Sequence, residues 1–474
     1  MTSGLGLWFI AWADIPRSEG LPRRMKLRTP PAAAAGLLVA LLTPIPASAA
    51  VNCSYSAGAQ EVTITLGGSD STTVERASGA DGITVGGALC GAATVKNTDT
   101  ITITGNNGFN VVTISLANGP LAPGATKEST GRSEIELTVD AGGNSGDVFV
   151  QGGNRIDRIT FGAKKVNLNA REKPKDFDLL VSGGAALTGA GTSFGRDQIS
   201  LIGGTGAIGG TYDGGPDNDR FIGNGNGGIT MIGGDDKDTV DYFRNTTKLV
   251  YNDGTANTGP GPNDQVTGVE HIIGTPLADL FLGGVGDDVL EGRGGADTFR
   301  PGAGDDLIRG GAGKRDYLDF TGAGDLVVNL GTRVVTGQGT DDYESIERIA
   351  TGAGDDRFID GNRLNKLDGR QGNDTITYKN STSKVVAILN VKAPGKGNDV
   401  LIGIENALGS RFNDILTGDG HANTLVGQGG ADVIKGMGGD DALNGKGGKD
   451  NLDGGTGFDT CLVGPGDIVK RCEA

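Results

Sequence analysis

The residues of this chain best suited to chemistry are aspartates that recur every nine positions. From Gly409 to Leu462 the sequence divides into six nonapeptides, starting at Gly409, Gly418, Gly427, Gly436, Gly445 and Gly454. Their sixth positions are Asp414, Asn423, Asp432, Asp441, Asp450 and Asp459, and their eighth positions are Leu416, Leu425, Ile434, Leu443, Leu452 and Cys461. Two positions held through six copies define a repeat array. The Gly/Asp/Asn-rich first six residues favour a turn, since Gly takes positive φ without steric cost. The last three, such as Val433-Ile434-Lys435, make a short strand whose middle side chain points inward. Two nonapeptides close a coil, and successive coils stack about 4.8 Å apart as parallel sheets. Every second turn then falls on the same side, which stacks Asp414, Asp432 and Asp450, and likewise Asp441 and Asp459.

Such a ladder repels itself, and crowded like charges raise one another's pKa. A hard cation between turns removes the conflict. Ca²⁺ takes six to eight oxygens in flexible geometry, and Gly-rich turns present carbonyls beside the carboxylates. One inward aliphatic residue per nine is a thin core against the entropy of ordering so many glycines. Metal binding is therefore expected to supply folding free energy.

The same period appears elsewhere. A block starting at Gly274 carries Asp279, Asp288, Asp297 and Asp306; its fifth copy is out of step, with Arg315 at position six and Asp316 following. A third block, from Thr351, carries Asp356, Asn365 and Asp374. Fainter copies carry Asp147, Asp157, Asp197, Asp219 and Asp238. The firm every-second-copy pairs are Asp279/Asp297, Asp288/Asp306, Asp356/Asp374, Asp414/Asp432, Asp432/Asp450 and Asp441/Asp459, with Asp219 and Asp238 as further candidate ligands.

Three inserts, 242–273, 319–350 and 378–408, separate the blocks. Each follows a hydrophobic-polar-aromatic triplet and ends in aliphatic-Glu, at Glu270, Glu347 and Glu405. Near-constant length marks them as enlarged coils. Their glutamates are read as acceptors for backbone donors or partners of a base, with metal ligation as the alternative.

Gly is 87 of 474 residues and the net charge is −16, which suits divalent cations and disfavours nucleic acid. Residues 1–50 read as a leader: Arg23, Arg24, Lys26 and Arg28 precede the apolar run Ala32 to Leu42 and the small-residue site Ala47-Ser48-Ala49, with Met25 a better start than Met1. No run in the mature chain reaches membrane-spanning length. Residues 51–200 alternate as strands, for example Thr100-Ile101-Thr102-Ile103-Thr104, and 201–462 hold the regular repeats. Residues 463–474 form a C-terminal cap. In an exported chain the four cysteines are expected to bridge locally, Cys53 with Cys90 and Cys461 with Cys472, although spacing alone allows three connectivities.

Catalytic motifs are weak. Gly191-Thr192-Ser193-Phe194-Gly195 fits a nucleophile elbow and residues 204–209 fit a dinucleotide loop, but no helical pattern follows either. No catalytic residue or organic cofactor site is expected.

The nonapeptides resemble the haemolysin-type (repeat-in-toxin) calcium-binding repeat, Gly-Gly-x-Gly-x-Asp-x-aliphatic-x, well over 214–462 and poorly over 142–200. The resemblance implies a parallel β-roll or β-helix solenoid binding several Ca²⁺ ions. Many relatives append such repeats to a catalytic domain; none is recognisable here. The expectation is therefore a secreted, extracellular calcium-binding protein with a structural, cell-surface or matrix role, in contact with surface polysaccharide. The alternatives are a polysaccharide-acting enzyme with its site in 51–200, and a calcium-stiffened adhesin.

Overall fold

The computed structural model describes residues 51–473, apart from 68–69, 106–109, 119–120, 122–134, 141–145, 152–157, 163–164, 168–178, 183–185, 192–197, 202–209, 224–227, 258–262, 362–365 and 391–399. The leader, Asp157, Asp197, Asn365 and the motifs at 191–195 and 204–209 therefore lie wholly or largely outside the described residues. Residues Ser48–Ala474 form one compact unit.

Three-residue strands follow from the nonapeptide itself. A β-strand alternates its faces, so a three-residue strand has one inward side chain. Thr424–Val426 and Ala442–Asn444 are such strands. Their middle residues Leu425 and Leu443 are buried. Each strand pairs in parallel with the one two copies later, as Leu416 with Ile434 and Leu425 with Leu443. The result is an all-β parallel solenoid whose strands stack on two faces, as three sheets among the described residues, around a core of inward columns. One column runs Phe221, Val240, Ile272, Leu290, Ile308. On the other face Phe281 stacks on Phe299 with centroids 4.9 Å apart.

The ladder reaches back through the N-terminal segment. On the first face Glu61–Thr65 pairs with Thr100–Thr104, which pairs with Glu136–Asp140. On the second face Ser71–Arg76, Asn110–Ser115 and Gly146–Gln151 pair in the same way. Ile101 and Ile103 face the core, so the threonine row faces out. The strand Asn52–Ser56 lies antiparallel on the edge of the first face. Cys53 joins Cys90 across to the hairpin on the second face, with Cα atoms 5.6 Å apart. At the other end Cys461 joins Cys472, with Cα atoms 5.8 Å apart.

The inserts are antiparallel meanders. In the first, Asp264–Thr267 pairs in parallel with the coil before and Val250–Asn252 with the coil after; Thr255–Asn257 lies antiparallel between them. On the opposite face the single strand His271–Ile273 spans the same interval. In the second, Thr340–Glu344, Val334–Thr336 and Val327–Asn329 repeat this plan on the first face. The third returns to the second face with the same outer pairings, Val400–Ile402 with Lys366–Asp368 and Val386–Ile388 with Ile415–Thr417; its middle lies in 391–399, outside the described residues. The alternation follows from odd numbers of strands. Five nonapeptides separate the first two inserts and three separate the next two, so each meander opens on the face opposite its predecessor. A further meander, Arg158–Gly162, Lys165–Asn167 and Leu179–Ser182, has the same topology on the first face. The period of nine did not distinguish it.

Candidate metal centre

The turns that start at Gly292, Pro301, Gly369, Gly427, Gly436, Gly445 and Gly454 share two left-handed positions. Position two there has positive φ in residues of any type, as at Arg293 (70°), Arg370 (65°), Gln428 (77°), Met437 (86°) and Lys446 (65°). Position four is a glycine of positive φ at Gly295, Gly304, Gly430, Gly439, Gly448 and Gly457. This geometry brings position six under the following coil.

There the aspartates form a relay. The N–H of Asp279 donates to Asp297 Oδ1 (2.8 Å), that of Asp288 to Asp306 Oδ1 (2.8 Å), and that of Asp356 to Asp374 Oδ1 (2.8 Å). Asp414 donates to Asp432 (2.7 Å), Asp432 to Asp450 (2.9 Å), Asp441 to Asp459 (3.0 Å) and Asp219 to Asp238 (2.7 Å). All the firm pairs read from the sequence thus become adjacent rungs. Asp316, out of step by one residue, still accepts from Asp297 (2.9 Å), because the extra residue is absorbed in the turn before it.

One carboxylate oxygen is thereby satisfied; the other is not. Oδ2 of Asp238, Asp297, Asp306, Asp316, Asp374, Asp432, Asp441, Asp450 and Asp459 is buried without a hydrogen-bond partner. No Lys or Arg among the described residues forms an ion pair with these nine. The basic side chains go instead to position nine: Arg220 and Arg293 to Asp241, Arg300 and Arg370 to Asp319, Arg348 to Asp368 and Arg471 to Asp453. Burial, reinforced by neighbouring carboxylates, pushes Asp297 up to about 8 and Asp306, Asp374 and Asp432 to about 7. Asp238 and Asp441 rise to about 6 for the same reasons. A buried, unpaired carboxylate is costly, and a bound cation would offset that cost.

Carbonyls complete the donor set. A Cβ built on Gly292 would collide with Asp297 Oδ2 and lie 2.8 Å from the carbonyl oxygen of Gly310; on Gly427 it would collide with Asp432 Oδ2 and lie 3.0 Å from that of Gly445. Position one must be glycine here for space, and the space is lined by a carboxylate oxygen and a carbonyl oxygen. Among the described residues no three His, Cys, Asp or Glu side chains converge into a ready cage. An ion would therefore take paired aspartates plus backbone carbonyls, a hard-oxygen set that fits Ca²⁺ rather than a thiophilic metal.

Two expected ligands sit differently. Asp279 receives the N–H of Leu249 (2.7 Å), the N–H of Thr275 (2.6 Å) and the Thr275 hydroxyl. Asp414 receives the N–H of Val385 (2.7 Å), the N–H of Ser410 (2.5 Å) and the Ser410 hydroxyl. Both follow an insert and face an aliphatic residue across the coil boundary, as Asp356 faces Leu326 (2.7 Å), and it is the hydroxyl residue at position two that satisfies Asp279 and Asp414 without a cation. The hydroxyl at position two, where Arg293, Gln428, Met437 and Lys446 are left-handed, was the signal available in the sequence.

The insert glutamates join the relay. Glu270 accepts the N–H of Asp238 (2.9 Å), Glu347 that of Asp316 (3.0 Å) and Glu405 that of Asp374 (2.8 Å). They satisfy backbone donors, the preferred of the two readings. Asp264 and Asp341 play the same part inside the meanders, toward Ile229 (3.3 Å) and Asp306 (3.2 Å), and were not singled out in the sequence. Position five carries a second, exposed relay of opposite sense, in which Asp287 accepts from Asp305 (2.9 Å) and Asp440 from Phe458 (2.9 Å).

Short parallel strands stacked on two faces of a thin core, with carboxylates stacked in the Gly-rich turns, define the β-roll class of calcium-binding solenoids. The family model of the RTX calcium-binding nonapeptide repeat matches residues 273–308, 302–314, 347–379, 402–434 and 426–461. The chain therefore carries haemolysin-type nonapeptide repeats, and these are calcium-binding repeats. The stretches missed between matches, 315–346 and 380–401, hold most of the second and third inserts. No curated protein matches the chain. Among the described residues no helix is long and apolar enough to cross a membrane.

Proposed function

We propose that this is an exported, non-catalytic solenoid that folds on binding Ca²⁺ and serves a structural role at the cell surface or in the extracellular matrix. The observation that carries the reading is the row of nine buried aspartate oxygens with neither hydrogen bond nor counter-ion. An apo-stable solenoid has no need of such a row; a metal-dependent one does, since binding energy then becomes folding energy. The ligands would be Asp219, Asp238, Asp288, Asp297, Asp306, Asp356, Asp374, Asp432, Asp441, Asp450 and Asp459, with Asp279 and Asp414 closing the array through hydroxyls. Export is supported by the basic-then-apolar leader at 23–49 and by four cysteines paired in two bridges.

The test is far-UV circular dichroism of residues 51–474 during calcium addition to chelator-treated protein. A coil-to-β transition at roughly 10⁻⁴–10⁻³ M, the range of extracellular calcium modules, is expected. A β spectrum indifferent to both chelator and calcium would overturn the reading.

A further inference from the structure

We infer that the rungs Asp238–Glu270, Asp316–Glu347, Asp374–Glu405 and Asp459–Glu473 are divalent-cation sites built outside the nonapeptide pattern, each using a three-residue corner in place of a six-residue turn. The inference rests on the calcium reading above and extends it from the recurring aspartates to glutamates, of which Glu347 and Glu405 fall among the first residues of two family-model matches and Glu270 and Glu473 lie outside them.

The four corners are alike. Residues 268–270 join Asp264–Thr267 to His271–Ile273; 345–347 join Thr340–Glu344 to Arg348–Ala350; 403–405 join Val400–Ile402 to Asn406–Leu408. At the C-terminus 471–473 follow Ile468–Lys470, and Glu473 bridges to Thr460. The first residue of each corner is left-handed: Gly268 (61°), Ser345 (55°), Gly403 (56°) and Arg471 (49°). A serine and an arginine hold this conformation beside two glycines, so the geometry belongs to the corner and not to the residue. The second residue of the first three corners, Val269, Ile346 and Ile404, is buried and anchors the turn. The third is always Glu. Its carboxylate accepts the N–H of the preceding position-six aspartate; Asp459 donates to Glu473 at 2.6 Å as the other three donate to theirs. The extra methylene of Glu makes up for the shorter turn.

The corner also supplies the carbonyl. A Cβ built on Gly233 would collide with the carbonyl oxygen of Gly268 and lie 2.5 Å from Asp238 Oδ2; on Gly310 it would meet Ser345 O and Asp316 Oδ2. On Gly369 it would meet Gly403 O and Asp374 Oδ2, and on Gly454 Arg471 O and Asp459 Oδ2. This is the arrangement of a nonapeptide rung, where Gly292 faces Asp297 Oδ2 and Gly310 O. The independent sign of a ligand is on the aspartate side. Asp238, Asp316, Asp374 and Asp459 are at most 1% exposed, and their Oδ2 atoms have no partner. If the glutamates only received an N–H, those oxygens would remain buried and unpaired on all four rungs. A hard divalent cation bound between Asp Oδ2, the corner carbonyl and the Glu carboxylate resolves them.

The test is the number of calcium ions bound per chain, measured by equilibrium dialysis and atomic emission on the full exported chain. The variant Glu270→Gln/Glu347→Gln/Glu405→Gln keeps an oxygen for each backbone N–H and removes each charge. It is expected to lose one ion per substituted rung while its dichroism spectrum at saturating calcium stays that of the unsubstituted protein. Undiminished stoichiometry in this variant overturns the inference. In that event Asp297→Asn and Asp432→Asn still lower the count if the calcium reading is right, whereas an unsubstituted chain that binds no calcium sinks both. Should the triple variant fail to fold, Glu473→Gln, confined to the last rung, gives the same count: one ion lost supports the assignment and none lost overturns it.

Discussion

Asp297 gives its backbone N–H to Asp316 Oδ1 at 2.9 Å, across nineteen residues as Asp219 does to Asp238, where the rungs from Asp279, Asp288, Asp356, Asp414, Asp432 and Asp441 span eighteen. The carboxylate keeps its place although the sequence slips by one, so the position of the acid in the stack, and not the count of residues, is what the fold maintains.

Without calcium the fold should weaken as pH rises. Burial raises Asp297 to about 8 and Asp306, Asp374 and Asp432 to about 7. The folded state therefore holds protons that an unfolded chain has released above its ordinary carboxylate range. These groups stabilise the metal-free fold at low pH, and that contribution is lost as pH rises from about 4 through 8. Metal-stripped protein should melt at a higher temperature at pH 5 than at pH 8, with the order reversed in saturating calcium. A melting temperature in metal-free buffer that climbs over the same interval would count against buried, unpaired rungs.

Two aspartates of identical position should behave differently. Asp297→Asn removes charge from a rung with a free oxygen, and should reduce calcium stoichiometry and shift the folding midpoint to higher calcium. Asp279→Asn touches a carboxylate already held by Thr275 and Leu249, and should leave stoichiometry unchanged. Removing the hydroxyl with Thr275→Val should destabilise the calcium-loaded protein by roughly 1–3 kcal/mol, the cost of under-pairing a buried charged acceptor. Calcium counts by dialysis and urea midpoints read both effects.

Glycine matters by position. Gly448 has φ of 147°, and a Cβ there would run into the carbonyl oxygen of Gly430. Gly448→Ala should destabilise by at least about 1–3 kcal/mol and raise the calcium needed for folding. Gly420 has nothing within 4 Å of a built Cβ. Gly420→Ala should change the melting temperature little, and equal losses in the two variants would contradict the assigned turn geometry.

Reduction should unravel the ends first. Cys461–Cys472 closes a separation of 11 residues and holds the last corner against the final coil. Its loss should lower stability by about 3 kcal/mol on loop entropy and increase amide exchange in 451–473 before the middle of the solenoid. Hydrogen exchange with and without reductant separates this from a uniform effect.

Much of the site was legible in the sequence because its rules are local. A turn needs Gly at a left-handed position, a three-residue strand has one inward side chain, and both repeat at nine; Asp432 and Ile434 can be assigned from that period alone. The paired rungs follow from eighteen residues per coil. Tertiary structure decided the rest. Glu270, Glu347 and Glu405 enter the relay from corners about 31–32 residues away from their donors, a distance set by meander length and not by any period. Asp279, Asp356 and Asp414 take an N–H from Leu249, Leu326 and Val385, twenty-nine or thirty residues earlier, and these partners bring no second carboxylate to the rung. The meander at 158–182 carries no nine-residue signal, and only strand pairing with Glu136–Asp140 and Gln198–Leu201 shows it to be one. Periodicity encodes what neighbours in the chain do to one another; which carboxylates end up buried without a partner depends on what the next coil brings.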